Sequence, residues 1–312
     1  MDLGAVDDGF HPPRSDDRSW TETAWFAAAV PERGLVVWTY PLFRPELGIM
    51  SCGVYVWETG AEELWELPYY RTWWHLPIPE GIEATRFALP NGLSYECLEP
   101  LRAYRITYAD GDAMRLDVTF RALHPPHRVG VVPGGRGHLD QLGRVTGELW
   151  LHGERLVVDC IEMRDRTWSP RRESRQDTFL SYSYGAGADG SGFHVSTRRR
   201  GGGAGQEMLT AYALRDGAAR ALTDATCEIA RDDRGRPVAV RVHAAGGDGP
   251  GLEARGEVMS RIALPSTPWF VWACLMRWTL PDGSHAYGEH QDTWSPGMLR
   301  AFLRSDRPLR AR

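Results

Sequence analysis

Arg164-Asp165-Arg166-Thr167-Trp168-Ser169-Pro170-Arg171 packs one carboxylate, three guanidinium groups and an indole into eight residues near the middle of the chain. A partial echo, Asp292-Thr293-Trp294-Ser295-Pro296, lies near the end, so Thr-Trp-Ser-Pro occurs twice. The residues entering the first copy read as a hairpin. Gly143 to Leu151 and Arg155 to Met163 are joined by the turn His152-Gly153-Glu154, and the second strand is expected to stop at Arg164. Asp165 therefore stands at a strand end, either as a buried reactive acid or as half of an ion-paired corner.

Outward from that hairpin the chain continues as short strands. Trp20 to Phe26, Leu35 to Tyr40 (broken by Pro41 and Pro45) and Ser51 to Glu58 are rich in aromatic and β-branched residues. Glu62 to His75 reads as a short helix followed by an aromatic strand, Tyr69 to Trp74. Ala84–Leu89, Leu93–Cys97, Ala103–Tyr108 and Met114–Leu123 follow, with Pro90-Asn91-Gly92 and Asp110-Gly111-Asp112 as hairpin turns. Past the hairpin, about eight further strands run to Glu289, and Gly201 to Gly205 reads as a hairpin tip. Only Pro296 to Arg304 has helical character, with Pro at its first turn and Ser295 before it.

Strands at this spacing, with almost no helical periodicity between them, argue for an all-β sandwich or barrel. The 312 residues are comfortable for two domains of about 150 each. His124-Pro-Pro-His127 and Val131 to Gly137 are dense in breakers, so the boundary is expected near 137, giving β-barrel domains over 1–137 and 138–312. Two meanders of similar length, each holding a Thr-Trp-Ser-Pro, are compatible with an old duplication.

Composition narrows the function classes. The net charge of −5 and the lack of a long basic run argue against a nucleic-acid partner. The five cysteines are scattered with no C-x-x-C pair, as expected of reduced thiols in a cytoplasmic protein. Met1 to Phe10 has no apolar signal segment, and no stretch approaches the ~18 apolar residues of a membrane span. Thirteen tryptophans, seven of them before residue 75, suit wide apolar cores and in part a ligand cavity. Neither a phosphate loop nor a G-x-S-x-G elbow occurs, and the His124/His127 and His285/His290 pairs match no metal-ligand pattern.

What remains is acids and donors at strand ends. Alternation would send Arg164 and Arg166 to the face opposite Asp165, with Trp168 on theirs. A carboxylate beside indoles is desolvated and becomes a proton donor; beside arginine it is ionised and structural. Spacing leaves both open.

Three segments together resemble one family: His138-Leu-Asp-Gln141, Gly147-Glu-Leu-Trp-Leu-His-Gly153 and Arg164 to Arg171. They look like the central signature of a lipocalin-like family that includes AttH-type proteins and the acyclic-carotenoid 1,2-hydratases, with an R-D-[HR]-[ST]-W-[GS]-P-R core. Asp282 to Glu289 resembles its closing strand. The resemblance implies two tandem lipocalin-like (calycin) barrels with a short C-terminal helix, and a hydrophobic small-molecule substrate. It also implies a cofactor-independent, metal-free hydratase or cyclase acting on an isoprenoid-like polyene. An acid would protonate an alkene, and aromatic faces would steady the cation. By this likeness Asp165 is the foremost acid, with Glu289, Asp292 and Glu22 in reserve. Trp168, Trp294, Trp20, Trp74 and Tyr287 would contact the substrate, and Arg164, Arg171 and His138 would orient the carboxylate. The alternative is a carrier that binds a hydrophobic molecule without turnover. A homodimer is compatible with either.

Overall fold

A computed structural model describes residues 3–11, 17–130, 135–171, 178–200, 205–246, 249–266 and 269–305. The chain divides into two compact units, one of Met1–Glu58 with Leu67–Arg171, the other of Thr59–Glu66 with Arg172–Arg312.

The first unit is one antiparallel sheet. Its strands are β1 (Trp20–Val30), β2 (Leu35–Arg44), β3 (Ile49–Glu58), β4 (Tyr69–Pro77), β5 (Arg86–Ala88), β6 (Ser94–Glu99), β7 (Ala103–Asp110), β8 (Met114–Ala122), β9 (His127–Val129), β10 (Gly137–Leu151) and β11 (Glu154–Pro170). They are ordered β4-β3-β2-β1-β11-β10-β8-β7-β6-β5, with β9 paired to β10. The second unit is a nine-stranded sheet. It holds β12 (Thr178–Ala186), β13 (Gly192–Arg200), β14 (Glu207–Arg215), β15 (Ala218–Ala221), β16 (Thr223–Arg231), β17 (Pro237–Ala245), β18 (Leu252–Ser266), β19 (Trp269–Thr279) and β20 (His285–Trp294). Their order is β15-β14-β13-β12-β20-β19-β18-β17-β16, and α1 (Pro296–Ser305) follows. The fold is all-β and lipocalin-like: two curled antiparallel sheets and one short C-terminal helix.

The two Thr-Trp-Ser-Pro copies occupy matching places. Each ends the strand that pairs with the first strand of its unit, Trp168 lying opposite Glu22 on β1 and Trp294 opposite Phe179 on β12. β11 does not stop at Arg164 but runs through the motif to Pro170, because those residues have a partner strand on each side. The helix expected near Glu62 is a single 3-10 turn, Leu64–Glu66. The Pro/Gly-rich stretch before residue 137 carries β9, and the long hairpin Gly137–Pro170 lies inside the first unit. Residues 131–134 of that stretch and 201–204 of the Gly-rich tip lie outside the described residues.

β2 runs through Pro41, and the sheet accommodates it locally. The β1–β2 ladder is interrupted there, since Pro41 has no N–H to offer β1. The carbonyl of Ala24, opposite the gap, takes a hydrogen bond from the Tyr95 hydroxyl at 3.2 Å instead. Tyr95 thus ties the sheet to an aromatic cluster in which Phe26 meets Tyr95 and Phe120 edge-on at 5.1 and 5.5 Å.

Gly143 on β10 lies over the Phe120 ring so closely that a Cβ would overlap it. Gly143→Ala should therefore cost about 1–3 kcal/mol through a forced shift of Phe120. Urea unfolding measures this, and a loss below about 0.5 kcal/mol would show that the ring moves aside freely.

Candidate functional site

The site grows from the alternation of β11. Arg164, Arg166 and Trp168 take one face, and Asp165 and Thr167 take the other. The first face belongs to the lumen. Arg164 lies over the Tyr104 ring at 4.2 Å, its Nε donates to Gln141 at 2.7 Å, and its Nη1 pairs with Asp8 at 3.3 Å. Arg166 pairs with Glu22 at 3.0 Å, with both side chains almost fully buried. Glu22 also accepts from the His11 backbone at 2.6 Å and from Trp20 Nε1 at 3.5 Å. Trp168 stacks on His11 with ring centroids 4.0 Å apart and packs with Trp20 and Leu139. Glu22, Arg164, Trp20 and Trp168 are therefore one buried, ion-paired floor beside the N-terminal segment, on the face away from Asp165.

An apolar pocket lined by Phe26, Val37, Ile106, Leu116, Phe120 and Val145, among others, leaves space for about one water molecule.

The opposite face carries the acid. In register, Asp165 stands between Trp25 on β1 and Asp140 on β10, and Asp140 next to His127 on β9. His138, two residues before Asp140, shares that face. Its Nδ1 is 2.7 Å from Thr167 Oγ1 and its Nε2 is 2.9 Å from Asp140 Oδ1. One polar atom from each of His138, Asp140 and Asp165 falls within a 4.8 Å span. Such a trio has donor atoms a metal could use, yet both His138 nitrogens are already engaged by protein oxygens. As it stands it is a hydrogen-bonded acid–base array. Alongside it, Trp25 meets Trp38 edge-on at 5.2 Å, and Trp38 meets Trp57 at 4.9 Å, all three indoles buried.

Asp165 is partly buried, but its Oδ1 is covered and has no hydrogen-bond partner. Burial pushes its carboxyl up to about 6; His138 opposes this, Asp140 adds to it, and Arg171 and Arg164 oppose it. For His138, burial favours the neutral ring, but the Asp140 carboxylate together with Asp165 outweighs that and raises its pKa. Arg171 donates to the Tyr40 hydroxyl at 3.0 Å and acts on Asp165 through its charge. His124 is separate. Its Nε2 accepts the Leu142 N–H at 3.0 Å, its Nδ1 is 2.7 Å from the Pro125 carbonyl, and burial lowers it to about 4.

In the second unit the echo is built differently. Counting from Thr-Trp-Ser-Pro, Gln291 stands where Asp165 does and Asp292 where Arg166 does. Asp292 is gripped by both terminal nitrogens of Arg231, at 2.6 and 3.0 Å, and accepts from Trp294 Nε1 at 3.0 Å. Trp294 packs on Phe179 and on Phe302 of α1. Glu289 is fully buried, in register with Tyr184 and Leu275. Tyr287 and Trp74 are exposed at 43% and 51%. Besides the floor of Glu22, Arg164, Trp20 and Trp168 and the contact of Asp292 with Trp294, the fold gathers the sequence-predicted His138 and Arg171 around Asp165. Asp140, Thr167 and Trp25 complete that group; the H-x-D spacing of His138 and Asp140 on one strand was the available signal for the first.

Solved structures share this architecture. A candidate AttH from Nitrosomonas europaea is 16% identical, with 88% of this chain and 91% of that one aligned at a TM-score of 0.56. CghA is 12% identical over 89% of each chain at 0.60. Kievitone hydratase from Nectria haematococca is 11% identical, covering 94% of this chain and 93% of its own at 0.59. What they share with this chain is the all-β, lipocalin-like fold. No curated protein matches the chain by sequence. The chain belongs to the family described as Domain of unknown function (DUF7064), whose profile matches residues 4–296.

Proposed function

We propose that the protein is a hydratase or cyclase of a hydrophobic isoprenoid-like alkene, with Asp165 as the proton donor. The observation that carries this reading is the Asp165 Oδ1, covered and unbonded beside Trp25, with the carboxyl raised to about 6. An acid of that strength is partly protonated near neutral pH, the condition for general-acid catalysis. The Asp165 O–H bond breaks as a C–H bond forms on the alkene. The resulting cation is steadied by the indole faces of Trp25 and its neighbours. Water then adds and sheds a proton back to the site, or an internal alkene closes a ring. The proposed chemistry uses side chains only. The hydratase among the structural neighbours supports the reaction class by its name, and it offers no argument for a substrate. Catalysis is assigned to the first unit because Gln291 replaces the acid in the second.

The test is incubation with linear polyprenyl alcohols and prenylated phenols in D2O, followed by mass spectrometry. A product gaining one D2O, or an isomer carrying deuterium, is expected from the wild type. If these compounds raise the melting temperature yet none is converted, the protein is a carrier.

A further inference from the structure

The array around Asp165 contains a residue whose place the acid reading does not explain. Asp140 is fully buried, with 0% exposure, and a carboxylate in that position needs a strong partner. It has one in His138 Nε2 at 2.9 Å, while Thr167 holds Nδ1 at 2.7 Å. The geometry is set by the sheet. His138 and Asp140 lie two apart on β10 and so share a face, and Thr167 faces His138 in register on β11. Held at both nitrogens, the ring has one orientation: the Asp140 carboxylate can only accept and so keeps a proton on Nε2, while the Thr167 hydroxyl can serve either protonation state of Nδ1.

We propose that Asp140 is the positioning residue of this site: it anchors the His138 ring against Thr167 and keeps it charged beside Asp165, so that His138 returns the proton that Asp165 gives to the substrate. The balance closes for hydration. Asp165 loses its proton to carbon, His138 passes one to the Asp165 carboxylate, and the capturing water restores His138 as its oxygen bonds to the cation. A 4.8 Å span is within reach of one bridging water. Titratable groups face the pair from several elements. The charged ones are Asp165 on β11 and Arg171 after β11, whose guanidinium donates to the Tyr40 hydroxyl on β2, with Arg164 acting from the other face; His127 on β9 is kept toward its neutral form by burial. The anchoring stands on geometry alone; the proton return rests on Asp165 being the acid.

Histidine 15N resonances of the full chain, followed from pH 4 to 9, test it without a substrate. In the wild type, His138 should be protonated on both nitrogens at pH 6.5, with its midpoint above that value. Asp140→Asn should lower the midpoint by at least one pH unit, since burial then dominates. Thr167→Val, which leaves Asp140 in place, should keep it above 6.5. An unchanged midpoint in Asp140→Asn overturns the proposal. So does a fall below 6.5 in Thr167→Val, which also serves if Asp140→Asn does not fold. A 13C-carboxyl midpoint for Asp165 near 4 in the wild type would sink the acid reading alone and leave the anchoring role of Asp140 standing.

Discussion

Asp165→Asn is expected to stabilise the first unit at pH 8 while abolishing turnover. The folded carboxyl is raised from 3.8 to about 6, so the fold prefers it protonated. Between those two values the folded state binds more protons than the unfolded chain, and wild-type stability falls as pH rises. Above pH 6 the ionised group costs the fold up to about 3 kcal/mol. Asparagine removes that cost but buries an amide in its place, at about 1 kcal/mol or more. The net gain at pH 8 should be about 1–2 kcal/mol, a rise of several degrees in melting temperature for a unit of this size. At pH 4 the gain should vanish, because the wild-type carboxyl is then neutral. An ion-paired structural aspartate behaves oppositely, its removal lowering stability at pH 8. Thermal unfolding at pH 4 and 8 therefore distinguishes an acid from a corner. On the catalytic side, loss of a general acid should lower kcat by about 10²–10⁴-fold with substrate binding retained.

Glu22→Ala should be the most damaging single substitution considered for the first unit, at about 3–5 kcal/mol. Glu22 and Arg166 are a nearly fully buried pair, and the same carboxylate holds the His11 backbone N–H. Alanine leaves the buried Arg166 guanidinium without its ion-pair partner, with the Gly9 carbonyl as a neutral acceptor, and its ionic form cannot be relieved by losing a proton. The floor formed by Asp8, Gln141 and Arg164 beside it would be strained as well. Glu22→Leu combined with Arg166→Met should recover most of the loss, since an apolar pair of similar volume replaces both charges. Urea midpoints of the single and double variants measure this. A loss under 1 kcal/mol for Glu22→Ala would show that the pair contributes little.

Much of the molecule was legible in advance. Asn-Gly and Asp-Gly turns mark true hairpins: Gly92 has φ +90° and stands so close to the Ala109 carbonyl that a Cβ would overlap it. The alternation of β11 was also readable, and it placed Arg164 and Arg166 away from Asp165. The end of β11 was not readable. Pro170 and the charge density at Arg164 resemble a stop, whereas strand length is decided by partners on both sides. For the same reason, breakers near residue 137 signal interrupted pairing and not unit membership, which follows from which strands pair. Trp168, inside the motif, is the indole nearest Asp165 in sequence, but it lies on the opposite face. The indole in register with Asp165 is Trp25, more than a hundred residues away along the chain.

By itself the sequence determined the all-β class and the lipocalin-like signature, and put Asp165 forward as a candidate acid, because these depend on period-two patterning and on a contiguous motif. The tertiary structure decided what surrounds that acid. Register across β1, β11, β10 and β9 aligns Trp25, Asp165, Asp140 and His127, and turns the arginines of the same motif to the other face. Whether a carboxylate is an ion-pair partner or a proton donor depends on distances between strands, and local sequence does not specify them.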